Sequence, residues 1–157
     1  MKAKKKISGK KRRYLLCVFF CIFSQPTKCF ANPNHIQKII QIESRGRCSA
    51  WNEGEDARGL MQIRAITLKE WNNFHAKELY TSEDLFDCAI NEKIGTWYFE
   101  KRIPQMLRHY GIPDTTFYRI ISYNAGIKVA KDFYEGKRKD LPRITIKYLH
   151  KFGIERR

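Results

Sequence analysis

Acidic side chains are scarce in this chain of 157 residues, 16 against 31 lysines and arginines, and the shortage is sharpest at the start. Residues 1–13, MKAKKKISGKKRR, hold eight basic residues and no acid, and they run directly into the apolar YLLCVFFCIF of residues 14–23. That run is too short to cross a bilayer as a stable helix. A basic start, a short apolar run and the small-residue pattern C-x-A ending at Ala31 make a secretory signal. Residues 1–31 are therefore expected to be cleaved, leaving residues 32–157 as the mature domain. No cysteine here follows the small-residue pattern of a lipoprotein signal, so release into the periplasm or cell envelope is expected, with no membrane span remaining.

The leader takes nine basic residues with it, and the formal charge falls from +15 to +6. A nucleic-acid reading loses its main support, while a moderately basic exported protein suits a polyanionic wall. Cysteine is also in short supply. Cys17, Cys21 and Cys29 leave with the leader, and an oxidising compartment would let the remaining two, Cys48 and Cys88, join in a disulfide; two free buried thiols are the alternative. The four histidines, His35, His75, His109 and His150, fall in no ligand spacing and no HExxH occurs, so no metal and no cofactor are expected. Ser44 has no histidine base beside it, which disfavours a serine hydrolase.

Repeats, low-complexity tracts and alternating strand patterns of useful length are missing after residue 31, and the helical period dominates. One all-α domain is expected. A first helix opens near Asn32 with Pro33 in its first turn, and Ile36, Ile39 and Ile40 form its inward stripe. A polar loop, RCSAWNEGEDAR, and the segment GLMQI lead to a second helix with Thr67 and Glu70 as a capping box and Trp71 and Phe74 as core residues. A long helix capped by Asp87 changes apolar phase just before Pro104, which predicts a kink or break there. A further helix opens at Asp114 or Thr115, the chain breaks at Gly126, and the basic loop EGKRKDLP, in which KRKD reads as solvated, precedes a last helix. The stripe of that last helix is Leu141, Ile144, Thr145, Tyr148, Leu149 and Phe152.

Three polar residues fall on these inward stripes: Glu43, seven residues after Ile36; Asn124, seven after Phe117; and Tyr148. Buried polar groups need partners. One explanation is a structural network, with Glu43 paired to Arg45, Arg47 or Arg58; the other is that the three faces converge and line a cleft. A carboxyl in apolar surroundings favours its neutral form, which is what a general acid at neutral pH requires. Gln62 and Asn124 carry amides suited to sugar hydroxyls or acetamido groups, and Tyr123 and Tyr148 offer ring faces for sugars.

The residues ES at 43–44, GLMQI at 59–63, DCAINEKIGTWYF at 87–99, YNAG at 123–126 and LPRITIKYL at 141–149 resemble, in order, the motifs of the soluble (SLT) type lytic transglycosylase catalytic domain. The resemblance runs from about Ile36 to about Leu149 and implies a lysozyme-like helical fold around a glycan cleft. It places the catalytic acid and base on Glu43, has Ser44 help to hold it, and assigns Ser44, Met61, Gln62, Tyr123, Asn124 and Tyr148 to substrate binding. Three departures stand out: Cys88 where the family often has proline, Ile144 where an acid usually precedes the threonine, and Asp56 where a glycine is common.

Hydrolysis of a glycosidic bond ordinarily uses two carboxyl groups, whereas only Glu43 lies on an inward stripe; Glu53, Glu55 and Asp56 read as solvated loop acids. The resemblance implies that the substrate supplies the nucleophile, giving 1,6-anhydro ends from the bond between N-acetylmuramic acid and N-acetylglucosamine in peptidoglycan. The alternatives are a hydrolytic lysozyme and a non-catalytic peptidoglycan-binding module. A small exported enzyme of this kind suits local wall opening at a secretion, conjugation or pilus complex, and equally general turnover.

Overall fold

The computed structural model describes residues 33–155; the expected leader and Asn32, the expected first cap, lie outside them. In chain order the elements are α1 (Pro33–Glu43), β1 (Trp51–Asn52), β2 (Ala57–Arg58), β3 (Ile63–Arg64) and α2 (Ala65–Phe74). A 3-10 turn (Glu83–Phe86) then leads to α3 (Cys88–Trp97), a π-helical segment (Tyr98–Arg102), α4 (Ile103–His109), α5 (Thr116–Ala125), α6 (Ile127–Tyr134) and α7 (Arg143–Phe152). Among the described residues no helix is long and apolar enough to cross a membrane.

The helical expectation holds, with one addition. The polar loop folds into a three-stranded antiparallel sheet in the order β1-β2-β3, with Trp51 opposite Arg58 and Ala57 opposite Arg64. Each strand is two residues long, too short to write an alternating pattern into the sequence. Asp56, at the turn between β1 and β2, has φ +44°, so it occupies the left-handed region that the family's glycine would enter freely; Asp is among the few L residues that tolerate it.

Two helix starts follow the sequence. Asp87 caps α3 by accepting from the N–H groups of Ala89 (2.8 Å) and Ile90 (3.0 Å), and Thr115 caps α5 by accepting from Tyr118 N–H. The capping box does not form. Extended Arg64 at the end of β3 hands the chain directly to α2 at Ala65, so Thr67 is a buried helical residue and Glu70 instead accepts from Arg102 at 2.8 Å. The phase change before Pro104 is a π-helical segment, in which a wider turn absorbs the slip without ending the helix.

Ile39, Phe99, Ile103, Leu107, Ile120 and Ile121 are completely buried, each worth about 1.5–3 kcal/mol of apolar burial. Trp71 joins this core, but Phe74 is 53% exposed and Ile144 is 67% exposed, contrary to their expected inward placement. Both lie at the edge of their helix's stripe; Phe74 meets only the rim, Trp97 with ring centroids 5.7 Å apart and the Arg102 guanidinium 5.0 Å from its ring. Cys48 and Cys88 are bonded, with Cα atoms 5.2 Å apart. The disulfide ties the loop after α1 to the first residue of α3, a use for cysteine where the family often has proline.

Candidate active site

GLMQI is held in place by one side chain. Asn91, fully buried on α3, accepts the Met61 N–H through Oδ1 (2.8 Å) and donates through Nδ2 to the carbonyls of Arg58 (2.7 Å) and Leu85 (2.8 Å). Gly59 has φ +75°, and a Cβ there would stand 2.2 Å from both the Asn91 amide and the Leu85 carbonyl, so only glycine fits. One turn beyond Asn91, a Cβ on Gly95 would meet Met61 Sδ at 2.3 Å. Asn91, Gly95 and GLMQI are therefore a single packing unit. Met61 was expected to bind substrate, but its side chain is fully buried against Gly95 and only its backbone carbonyl takes part in the site.

The unit supports a cleft of about 320 Å³ whose lining includes Glu43, Gln62, Tyr98, Tyr123 and Asn124. Glu43 enters from the last residue of α1. Ser44, 2% exposed, secures that helix end: its hydroxyl donates to the Ile40 carbonyl and accepts the Gly46 N–H, both at 3.2 Å. It holds the backbone beside Glu43 and does not line the cleft, which corrects its expected place among substrate-binding residues. Across from Glu43, α7 delivers Tyr148, 6% exposed, whose hydroxyl donates to Glu43 Oε1 at 2.8 Å.

None of the three arginines considered as partners pairs with Glu43, and Arg45, at φ +56°, is exposed. Arg58 pairs with Asp56 (3.0 Å) and Glu83 (2.6 Å), and Arg47 donates to the Ser44 carbonyl (3.2 Å). Glu43 is left partly buried with one hydrogen bond, and its pKa rises to about 7. Burial is the main cause. The Tyr148 hydrogen bond and the charges of Arg64 and Lys151 oppose the rise, and Glu55 adds to it. Such a carboxyl can give and retake a proton at neutral pH.

The amides are unequal. Gln62, at φ +48°, commits its Nε2 to the carbonyls of Ala50 (3.2 Å) and Gly59 (3.0 Å), leaving its oxygen uncommitted. Asn124 Oδ1 is buried with no partner in the protein, and an acceptor in that condition costs about 1–3 kcal/mol until a donor arrives. Tyr123 lends the cleft its ring, since its hydroxyl is used on the Met61 carbonyl at 2.6 Å. Burial holds that phenol protonated, well above its ordinary range.

A family model for the transglycosylase SLT domain matches residues 20–144. The chain belongs to this family. Comparisons with curated proteins and with solved structures find no match. An SLT domain is lysozyme-like and acts on peptidoglycan in the manner of lytic transglycosylases, and the helical fold described above is of that kind. Tyr148 lies beyond the matched stretch of this SLT domain, yet α7 brings it onto Glu43.

Several lining residues were not expected from the sequence. Tyr98 sits at the start of the π-helical segment, and the phase change was the available signal for it. Glu55, read as a solvated loop acid, lines the cleft and faces Arg64 at 3.8 Å. Glu53 is exposed, and Asp56 is bound to Arg58. Among the described residues no three histidine, cysteine or acidic side chains converge as a metal site would require.

Proposed function

We propose that this SLT domain cleaves the β-1,4 bond between N-acetylmuramic acid and N-acetylglucosamine without water. Glu43, a carboxyl inside the cleft whose pKa burial raises to about 7, carries the reading. It donates its proton to the bridging oxygen as the muramyl C1–O4 bond breaks, and the N-acetylglucosamine hydroxyl leaves. The muramyl acetamido oxygen stabilises the cation-like C1. Carboxylate Glu43 then takes the proton of the same sugar's 6-hydroxyl as O6 bonds to C1, which restores the acid and closes a 1,6-anhydro ring. Tyr148 holds Oε1 throughout, and the unpartnered Asn124 Oδ1 and the Gln62 oxygen meet N–H and O–H groups of the glycan. No second carboxyl is needed.

Export follows from the basic and apolar start of the chain, and the place of action is the periplasm or cell envelope. Local wall opening at a secretion, conjugation or pilus apparatus fits a single small domain. One observation favours a hydrolytic second reading: Glu55 lines the same cleft and would have to activate water.

Mass spectrometry of the products from purified peptidoglycan separates the readings. Muropeptides lighter by one water than reducing-end forms, released by wild type and not by Glu43→Gln, are expected. Reducing ends would establish a lysozyme, and binding without release would establish a non-catalytic module.

A further inference from the structure

Charge is distributed very unevenly. Residues 33–136 hold 14 basic and 14 acidic side chains, whereas residues 137–157 hold eight basic and two acidic ones. The domain is a neutral body with a basic end. Its helical part is α7, where Arg143, Lys147 and Lys151 recur every fourth residue, all exposed. None of the three belongs to an ion pair among the described residues. At about 1.5 Å per residue they form a ridge about 12 Å long.

One residue of α7, Tyr148, joins this helix to the cleft. The inner side of α7 carries Thr145, Tyr148, Leu149 and Phe152, and Tyr148 is bonded to Glu43. Lys151 stands close enough for its charge to act on the Glu43 carboxyl. Lys151 is the cation of the row whose charge reaches Glu43, and Lys147 and Arg143 continue the row along α7 at about 6 Å intervals, where a substituent longer than a sugar would follow it.

We infer that the α7 ridge, Arg143, Lys147 and Lys151, holds the anionic peptide stems of the strand being cut. The inference rests on the proposed peptidoglycan activity. An N-acetylated β-1,4 sugar backbone is uncharged, so the negative groups such a strand can present to α7 are the carboxylates of its substituents. Exposed pairs are individually weak, but three cations in a row act together on a substituent bearing several carboxylates, and salt screens the effect. A lipid surface fits less well. The apolar side of α7 is committed to the core, and Ile144 is the one large hydrophobic residue it exposes, which is too little to insert.

The test uses the full chain carrying Glu43→Gln, which binds without cutting. Fluorescence anisotropy of the labelled protein compares soluble strands with intact stems and the same strands after an amidase has removed them, which leaves one lactyl carboxylate on each muramyl unit in place of the several carboxylates of a stem. Stem-bearing strands are expected to bind roughly 3- to 10-fold more tightly. The difference should vanish in Arg143→Gln/Lys147→Gln and in salt on the order of 0.5 M. Lys151 is left in place because its charge reaches Glu43. Equal binding to both strands, or to neither, or a preference that survives the double substitution, overturns the inference. So does binding to vesicles of anionic phospholipid that requires Arg143 and Lys147 while the stems make no difference. The double variant with Glu43 intact should cleave stripped strands at the wild-type rate. If wild type cleaves nothing, the proposed function falls, while the binding comparison still decides the ridge.

Discussion

Asn91 and Glu43 are both polar side chains set into apolar helix faces, and they are opposites. Asn91 spends its oxygen and both amide hydrogens on three backbone groups and is completely buried. Glu43 receives a single hydrogen bond, on Oε1, and its proton affinity rises because its charge has lost water without gaining an ion pair, the charges of Arg64 and Lys151 offsetting only part of that loss. Saturation makes the first a fastener for GLMQI. Unspent capacity makes the second a site, and the orphaned oxygen of Asn124 belongs with it.

The largest expected effect comes from Glu43→Gln. Cleavage should fall roughly 10²- to 10⁴-fold or more, the range of a lost general acid. Stability should move the other way, in a pH-dependent manner. The folded pKa of about 7 exceeds the ordinary 4.5, so the native state binds more protons between these values. Wild-type stability is then fullest below 4.5 and declines up to about 7. The glutamine variant, with no charge to bury, should match wild type at pH 4 and exceed it at pH 8 by up to about 3 kcal/mol. Denaturant melts at the two pH values check this. Equal stability at pH 8 would mean that the carboxylate is well hydrated and the contrast with Asn91 is lost. Asn91→Ala should do the reverse, with a loss of roughly 3 kcal/mol or more as three buried backbone groups lose their partner. A loss under about 1 kcal/mol would show that water replaces the amide easily and that Asn91 is no fastener.

The sequence made Glu43 legible because one residue broke a clean isoleucine stripe, and Asn124 was visible in the same way. It also carried the Asp87 cap and the place of the π-helical segment, since both are local. What it hid depends on contacts between distant segments. Met61 lies in the right motif, but only its packing on Gly95 assigns it to the core. Ser44 neighbours the acid, but it turns back to cap its own helix. Thr67 and Glu70 have capping spacing, yet β3 starts α2 before them. Glu55 looks solvated until the sheet, built from two-residue strands, sets it at the cleft.

Two smaller changes should shift Glu43 in opposite directions. Tyr148→Phe removes a hydrogen bond that favours the charged form. Glu43 then binds its proton more tightly, and the alkaline limb of the rate profile, where the acid is lost near pH 7, should move to higher pH. The rate on the plateau should also fall, since Oε1 loses the donor that orients it. A limb that stays in place would separate the phenol from the titration of the acid.

Glu55→Gln should move that limb to lower pH and by the least of all, because Glu55 is exposed and acts through charge alone. Its removal subtracts a repulsion and leaves Arg64, now without its partner at 3.8 Å, to favour the Glu43 carboxylate; both effects have the same sign. The shift should shrink in salt, which screens exposed charges. This substitution also presses hardest on the comparison between spent and unspent groups. If Glu55 activated water, the plateau rate would fall by orders of magnitude and the products would carry reducing ends, since a hydrolase needs its second carboxyl. A retained plateau with a small salt-sensitive shift leaves Glu43 as the one carboxyl whose protons the reaction moves.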